Sequence, residues 1–376
     1  MNKEKRNIGG KRIMAALLAI GLFAAAGCGG GTAETDGIAR DPDNPPEYST
    51  TDRNFRLAAW SLPPNAGTGY GNLANNPDYA TVENWQTMAD AGFNYALPTS
   101  DYTDDHIFNT LEKAEATGVK VLVRDYNNFG IQQTVAQGGS YAEARARFEE
   151  KSDQIRARYD KFAEYESFAG IIAYDEPNST MFEAIAAGQD WFLKYYPEYE
   201  YYVNLLPNYA TPQQLFGTDS NKGYTYADHV KMFVDEVNPQ LISYDHYALM
   251  RDAFDVKYLL DDFLYNLYLF AVQAKEKDIP FYIFLQTMGF YDNVPLETYA
   301  DFAWQAYTSM AFGVTGIQCF CYWTLLEEEE LNNVRDGMVD RDGTKLPAYD
   351  IVKSVFDEIK SFEEARSEER RVGKEC

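Results

Sequence analysis

From about Phe55 onward the chain alternates between two hydrophobic patterns. Short apolar runs closed by turn signals alternate with longer stretches whose apolar residues recur every three or four positions. The runs read as buried strands and the longer stretches as amphipathic helices. Strands are predicted near 55–62, 95–98, 120–123, 169–173, 201–206, 240–244, 281–285 and 315–322. Helices are predicted near 79–91, 104–117, 141–165, 179–196, 226–237, 263–277, 296–312 and 348–362, with Gly92 and Gly118 closing the first two. Eight strand–helix units in strict alternation imply a parallel sheet covered by helices, and eight is the number that closes a barrel. A doubly wound open sheet is the competitor, but no glycine-rich phosphate loop follows the first strand. The expected fold is α/β, a single (β/α)8 TIM-barrel domain over 55–365.

The pattern does not begin at residue 1. Lys3, Lys5, Arg6, Lys11 and Arg12 precede an apolar run from Ile13 to Ala26. That run is too short to span a bilayer comfortably, and 1–27 reads as a secretory signal peptide. It ends in Ala25-Ala26-Gly27-Cys28, which resembles the lipobox of bacterial lipoproteins. The resemblance implies that Cys28 is lipidated and anchors the chain to a membrane surface. The protein would then sit in the cell envelope, on the outer face of the cytoplasmic membrane or on the cell surface. Residues 28–54, rich in Gly, Thr, Asp and Pro, read as a flexible tether. The end of the chain, 366–376, fits no element. It reads as an artefactual or disordered tail, and Arg371-Val-Gly-Lys-Glu-Cys376 resembles translated adapter DNA.

Charge narrows the partners. The formal net charge is −25, and the leader is basic, so the remainder is more acidic still. Such a surface repels polyanions, which argues against nucleic acid and for a neutral substrate, although local Arg or Lys could admit a carboxylate. Cys319 and Cys321, two apart in a strand, are expected to share a face as buried hydrophobes rather than to bridge. The histidines His106, His229 and His246 are widely spread with no metal-ligand spacing, so neither metal nor cofactor is expected.

Barrel chemistry gathers at the C-terminal strand ends. Here these carry Trp60, Asp101, Arg124-Asp125-Tyr126, Asp175-Glu176, Asn204, Asp245-His246-Tyr247, Gln286 and Trp323. Two adjacent acids closing a buried strand, with Pro177 ending it, are costly unless paired or used. Sugars present hydroxyls around apolar C–H faces, so carboxylates and amides suit the rim while aromatic rings stack on the face. Trp60, Asp125, Tyr126, Asn204, His246, Tyr247, Gln286 and Trp323 are the substrate-binding candidates. Simpler roles compete: Asp175 as a helix cap, Arg124 and Asp125 as a rim ion pair, His246 as a structural histidine, and Glu327–Glu330 as a solvated loop.

Asp175-Glu176-Pro177 at the fourth strand resembles the Asn-Glu-Pro of clan-A glycoside hydrolases, whose Glu is the general acid/base. Trp323 resembles the tryptophan flooring their sugar subsite. The segment Gly337-Met-Val-Asp-Arg-Asp-Gly343 with Ala348-Tyr349 resembles the connection before the last helix in beta-galactosidase-like and related families. The resemblance implies a glycosidase acting on a neutral glycan or oligosaccharide. It also exposes a departure: Gln286 stands where that clan carries its nucleophilic Glu, and Asp175 replaces its Asn. Glycoside cleavage needs one protonated and one ionised carboxyl group. The catalytic candidates are Glu176 as acid/base with Asp175 beside it, and Asp245 as the second carboxylate, Asp125 next. Tyr244-Asp245 also resembles the sixth-strand Tyr-Asp of substrate-assisted chitinase-like barrels. Gln286 motivates the alternative of a non-catalytic glycan-binding lipoprotein on a degenerate barrel. A barrel enzyme of another class, such as a deacetylase or lyase, is a third reading.

Overall fold

The computed structural model describes residues 55–67, 77–99, 103–128, 130–252, 254, 256–325 and 332–375. The leader, Cys28, the tether, Asp101, Glu327–Glu330 and Cys376 lie outside the described residues.

Ten strands are described: β1 Arg56–Trp60, β2 Tyr95–Leu97, β3 Lys120–Val123, β4 Phe168–Asp175, β5 Glu200–Asn204, β6 Ile242–Asp245, β7 Leu249–Arg251, β8 Lys257–Leu259, β9 Phe281–Gln286 and β10 Gly316–Phe320. Eight run parallel in the order β5-β4-β3-β2-β1-β10-β9-β6. The two ends of that series meet. Leu205 bridges Tyr244 in parallel, and its N–H donates to the Ser243 carbonyl at 2.8 Å. The sheet therefore closes into the expected (β/α)8 barrel. β7 and β8 form a separate antiparallel hairpin after the sixth barrel strand, so β9 and β10 are barrel strands seven and eight.

Alternate residues of each strand enter two buried layers. Leu57, Val121, Ile171, Val203, Tyr244 and Ile317 join the large core between sheet and helices. Ala58, Trp60, Leu122, Ile172, Tyr202 and Phe284 fill the barrel interior. Burial on both faces is why the strands read as unbroken apolar runs. Arg56 and Glu200, the first residues of β1 and β5, face each other across the N-terminal end of the barrel. Their two hydrogen bonds measure 2.8 and 2.5 Å. The guanidinium sits between the Tyr95 and Tyr282 rings, 4.0 and 4.2 Å from their centroids. This bidentate pair plugs the floor without leaving a buried charge unpaired.

The outer helices are α1 Val82–Asp90, α2 Asp104–Thr117, α3 Ile131–Val135, α4 Tyr141–Glu150, α5 Ser152–Phe162, α6 Phe182–Tyr195, α7 Pro212–Phe216, α8 Tyr226–Val237, α9 Phe263–Lys277, α10 Tyr299–Ala311 and α11 Pro347–Glu375. Their starts follow from capping chemistry. Thr81 and Thr103 accept from the first turns of α1 and α2, and reciprocal capping boxes open α4 (Ser140, Glu143) and α8 (Thr225, Asp228). The helix expected over 141–165 is broken at Lys151, whose backbone (φ −92°, ψ 1°) leaves the helical region. The hydrophobic pattern does not announce α3, α7 or the β7–β8 hairpin, because each is too short to show a period. The last helix runs past 362 to Glu375. Cys319 and Cys321 do not share a face: Cys319 lies in the helix-side core, Cys321 in the interior, its Sγ 3.4 Å from Met288 Sδ. The strand ends between them at Phe320, so the two-residue alternation no longer applies.

Candidate active site

The acids on β4 reach the barrel mouth through two local departures from a regular strand. Ile172 pairs with Tyr202, but the next pairs are Tyr174 with Val203 and Asp175 with Asn204, leaving Ala173 as an extra residue. Simple alternation from Ile172 would turn Tyr174 inward and Asp175 out toward the helices. The bulge reverses this, so Asp175 shares the inward phase of Asn204 while Tyr174 packs on the helix-side core. Glu176 then takes a left-handed backbone (φ 53°), and its N–H donates to the Asn204 carbonyl at 2.8 Å. That conformation is uncommon for a residue with a side chain and gathers at functional sites. Earlier in β4, Gly170 (φ 138°) is needed for closeness: a Cβ there would lie 2.1 Å from the Glu200 carbonyl oxygen.

Asp245 closes the cluster from β6. It is buried, and its Oδ1 accepts from Asn204 Nδ2 at 2.9 Å. Its Oδ2 has no hydrogen-bond partner of ordinary geometry, and the Glu176 carboxyl is the neighbouring acid whose titration is tied to that of Asp245. Burial pushes the Glu176 carboxyl well above the usual carboxylate range. The negative charges of Asp245 and Asp175 push it further, and Arg124 draws it back only in part. Burial also raises Asp245, to about 7, with the hydrogen bonds from Glu176 and Asn204 opposing the rise. Asp175 is raised by burial but restrained by Arg124 and by an Asn204 hydrogen bond. The arrangement favours a proton on Glu176 ahead of its two neighbours, and the three groups titrate together.

Arg124, at the end of β3, supplies positive charge to the site. Its Nη2 lies 3.6 Å from Asp175 Oδ2, and its guanidinium is 5.1 Å from the Trp60 ring centroid and 5.2 Å from that of Tyr126. Trp60 in turn packs edge-on against Phe284. On the other side Tyr247 packs against Phe290 and Phe320. Tyr209 accepts the Tyr247 N–H at 3.2 Å. Burial and the nearby Asp245 keep both phenols protonated, so they are available as donors.

The structure thus brings together Glu176, Asp175, Asp245, Asn204, Trp60, Arg124, Tyr126 and Tyr247 from the strand ends read in the sequence, and adds Tyr209 and Phe320. Phe320 is an interior residue three positions before Trp323. Trp323 itself packs on Tyr79 in the helix-side core, with ring centroids 5.1 Å apart.

Four other predicted residues have different surroundings. Asp125 is buried and committed: Arg158 donates to it at 2.6 and 3.1 Å, Tyr159 at 3.0 Å and the Asn127 N–H at 3.0 Å. His246 is fully buried between Tyr209 and Phe263, its Nδ1 3.1 Å from Asn266 Oδ1 and its Nε2 3.5 Å from Asp262. Tyr244 stacks on Phe270 in the helix layer, which separates it from the mouth that Asp245 faces. Gln286 is fully buried and spends its amide on the main chain of Leu249 and Val294. Among the described residues there is no cluster of three or more His, Cys, Asp or Glu that could hold a metal ion.

No family model and no curated protein matches the sequence. Solved structures do match the fold. A protein of Bacteroides thetaiotaomicron provisionally described as an alpha-L-fucosidase superimposes with TM-score 0.54 at 10% identity, over 84% of this chain and 99% of its own. The beta-galactosidase of the psychrophilic Marinomonas ef1 gives 0.55 at 10% identity, over 83% of this chain and 60% of its own. This chain therefore spans less than two thirds of that enzyme. The family 1 beta-glucosidase of Thermotoga maritima gives 0.53 at 12% identity, over 83% and 98%. At these identities the likeness establishes a shared TIM-barrel fold.

Proposed function

We propose that the chain is a glycoside hydrolase acting on a neutral glycan or oligosaccharide, held outside the cytoplasm by a lipid on Cys28. The observation that carries the proposal is Glu176: a carboxyl kept protonated by burial and by two neighbouring carboxylates, at the mouth of an eight-stranded barrel. A group of that kind can give its proton to a glycosidic oxygen at neutral pH. Asp245 is the second carboxylate rather than Asp125, whose oxygens are committed to Arg158, Tyr159 and Asn127. In the free site the protonated Glu176 has Asp245 as its neighbouring carboxylate. When the leaving oxygen takes the Glu176 proton and the glycosidic bond breaks, Asp245 and Asp175 face the positive charge developing on the sugar ring; water then bonds to the anomeric carbon, and the proton it loses returns to Glu176. The half-buried Tyr126 and Tyr247 supply aromatic surface for the ring, with Phe320 packed against Tyr247 and Trp60 against Arg124. The fold shared with a beta-galactosidase and a beta-glucosidase supports this reading.

The test is Glu176→Gln on the intact protein against a panel of neutral oligosaccharides. Turnover should fall by about 10²–10⁴-fold with sugar binding retained, the usual worth of a general acid. Unchanged turnover would overturn the assignment.

One observation favours a second reading, a non-catalytic glycan-binding protein. Gln286 occupies the position of the resembled family's nucleophile and is committed to the main chain. Calorimetric binding of glycans with no product after long incubation would select it.

A further inference from the structure

Beneath Asp245 a chain of buried polar side chains crosses the barrel interior. Gln318 on β10 donates from Nε2 to the Tyr202 hydroxyl at 2.9 Å and to Ser243 Oγ at 3.0 Å. The Tyr202 and Ser243 hydroxyls are 2.8 Å apart. Ser243 donates to Asn204 Oδ1 at 3.0 Å, and Asn204 Nδ2 donates to Asp245 Oδ1 at 2.9 Å. Asn204 also donates to Asp175. Tyr202, Ser243, Asn204, Asp245 and Gln318 are each buried, so no exchange with bulk water competes for these bonds.

The direction of this chain follows from its upper end. An ionised carboxylate only accepts, so the Asn204 NH2 must face the acids and its carbonyl oxygen must face Ser243. That oxygen needs a donor, and the Ser243 hydroxyl is the nearest one. Having spent its single proton on Asn204, Ser243 Oγ must itself receive, which Tyr202 and Gln318 are placed to do. An asparagine amide presents nearly the same shape when flipped. It is the donor below that makes the wrong orientation costly.

We infer that Ser243 and Gln318 are positioning residues for the reaction: they fix the Asn204 amide with its NH2 toward Asp245 and Asp175, and so keep Asp245 the ionised partner of Glu176. The inference rests on the proposed glycosidase reading for its catalytic consequence, though not for its effect on Asp245. The acids that act on Asp245 are Asp175 at the end of β4 and Glu176 just after it, and its charge is felt by the tyrosines Tyr209, Tyr226, Tyr244 and Tyr247. None of these groups touches the Asn204 oxygen; besides Ser243 it is approached only by the Tyr202 hydroxyl, at 3.5 Å, a distance that makes it the weaker donor.

The experiment is a carboxyl ¹³C NMR titration of the whole protein, run on wild type, Ser243→Ala and Ser243→Thr, with Gln318→Met as an independent second variant. Losing one charge-assisted hydrogen bond should move the Asp245 titration up by about one pH unit in Ser243→Ala. Ser243→Thr, which keeps the hydroxyl, should restore it, and Gln318→Met should shift it in the same direction by less. The acid limb of kcat should move with the titration while KM stays constant. An unmoved Asp245 titration in Ser243→Ala, or in Gln318→Met where Ser243→Ala fails to fold, would overturn the inference. If the titration moves but no glycan is turned over by wild type, the function proposal fails and the positioning role stands.

Discussion

The side-chain amide of Gln286 grips the main chain of Leu249 from both sides, accepting its N–H at 3.0 Å and donating to its carbonyl at 3.0 Å. A further bond to the Val294 carbonyl at 2.6 Å ties down the segment after β9. Gln286 thus anchors two loops at the barrel rim. Substituting glutamate should not create a nucleophile. The Gln286→Glu variant would lose both amide donors and set a carboxylate against two carbonyl oxygens, costing about 1–3 kcal/mol. Chemical denaturation should show that loss with kcat no higher than wild type. A variant of full stability and raised kcat would contradict the anchoring role.

Asp125 should behave as a scaffold residue. Asp125→Asn weakens its bonds with Arg158 and Tyr159, but Arg158 keeps Asp104 as a partner. The expected stability loss is therefore about 1–3 kcal/mol, below that of stripping a buried ion of every counter-charge. Turnover by the folded fraction should stay within a few-fold. A collapse of kcat with stability unchanged would instead place Asp125 in the chemistry.

Arg124 restrains the acids electrostatically. Its charge lowers the titration of both Asp175 and Glu176, against the upward push of burial. Arg124→Met should let both rise, so the acid limb of the pH–kcat profile, which needs Asp175 ionised, and the alkaline limb, which needs Glu176 protonated, both move to higher pH. A profile that stays in place would show that Arg124 serves only as packing between Trp60 and Tyr126.

Stability should depend on pH through Glu176. Its folded pKa is raised above the unfolded value, so folding favours its protonated form. The associated stability is fully present below the unfolded pKa and is lost as pH rises through the folded one. Gln cannot ionise. The melting temperature of Glu176→Gln should therefore gain on wild type as pH is raised from acid to alkaline, with the two curves converging at low pH. Parallel curves across that range would contradict the placement of Glu176 against Asp245 and Asp175.

The barrel is legible in the sequence because each strand is buried on both faces and each helix on one, which leaves two distinct periods. The acid pair on β4 is legible as chemistry but not as geometry. Alternation from Ile172 sends Asp175 toward the helices, and only the extra residue Ala173 turns it inward. The commitment of Asp125 to Arg158 is likewise hidden, since the two lie on different elements and meet only after folding. His246 follows Asp245 directly, and the strand end turns its ring into the α9 layer instead of the mouth. Trp323 is the tryptophan nearest the end of strand eight, whereas the interior position falls to Phe320, a residue type that core packing also favours. The Gln318–Ser243–Asn204 chain has no sequence signal at all, because its members come from three strands.

The paired Arg56 and Glu200 close the barrel floor, so the acids are reached from the mouth. At the far end a buried salt bridge is clasped between two tyrosine rings. A guest entering from the mouth therefore meets three carboxyl groups whose charge changes as one unit.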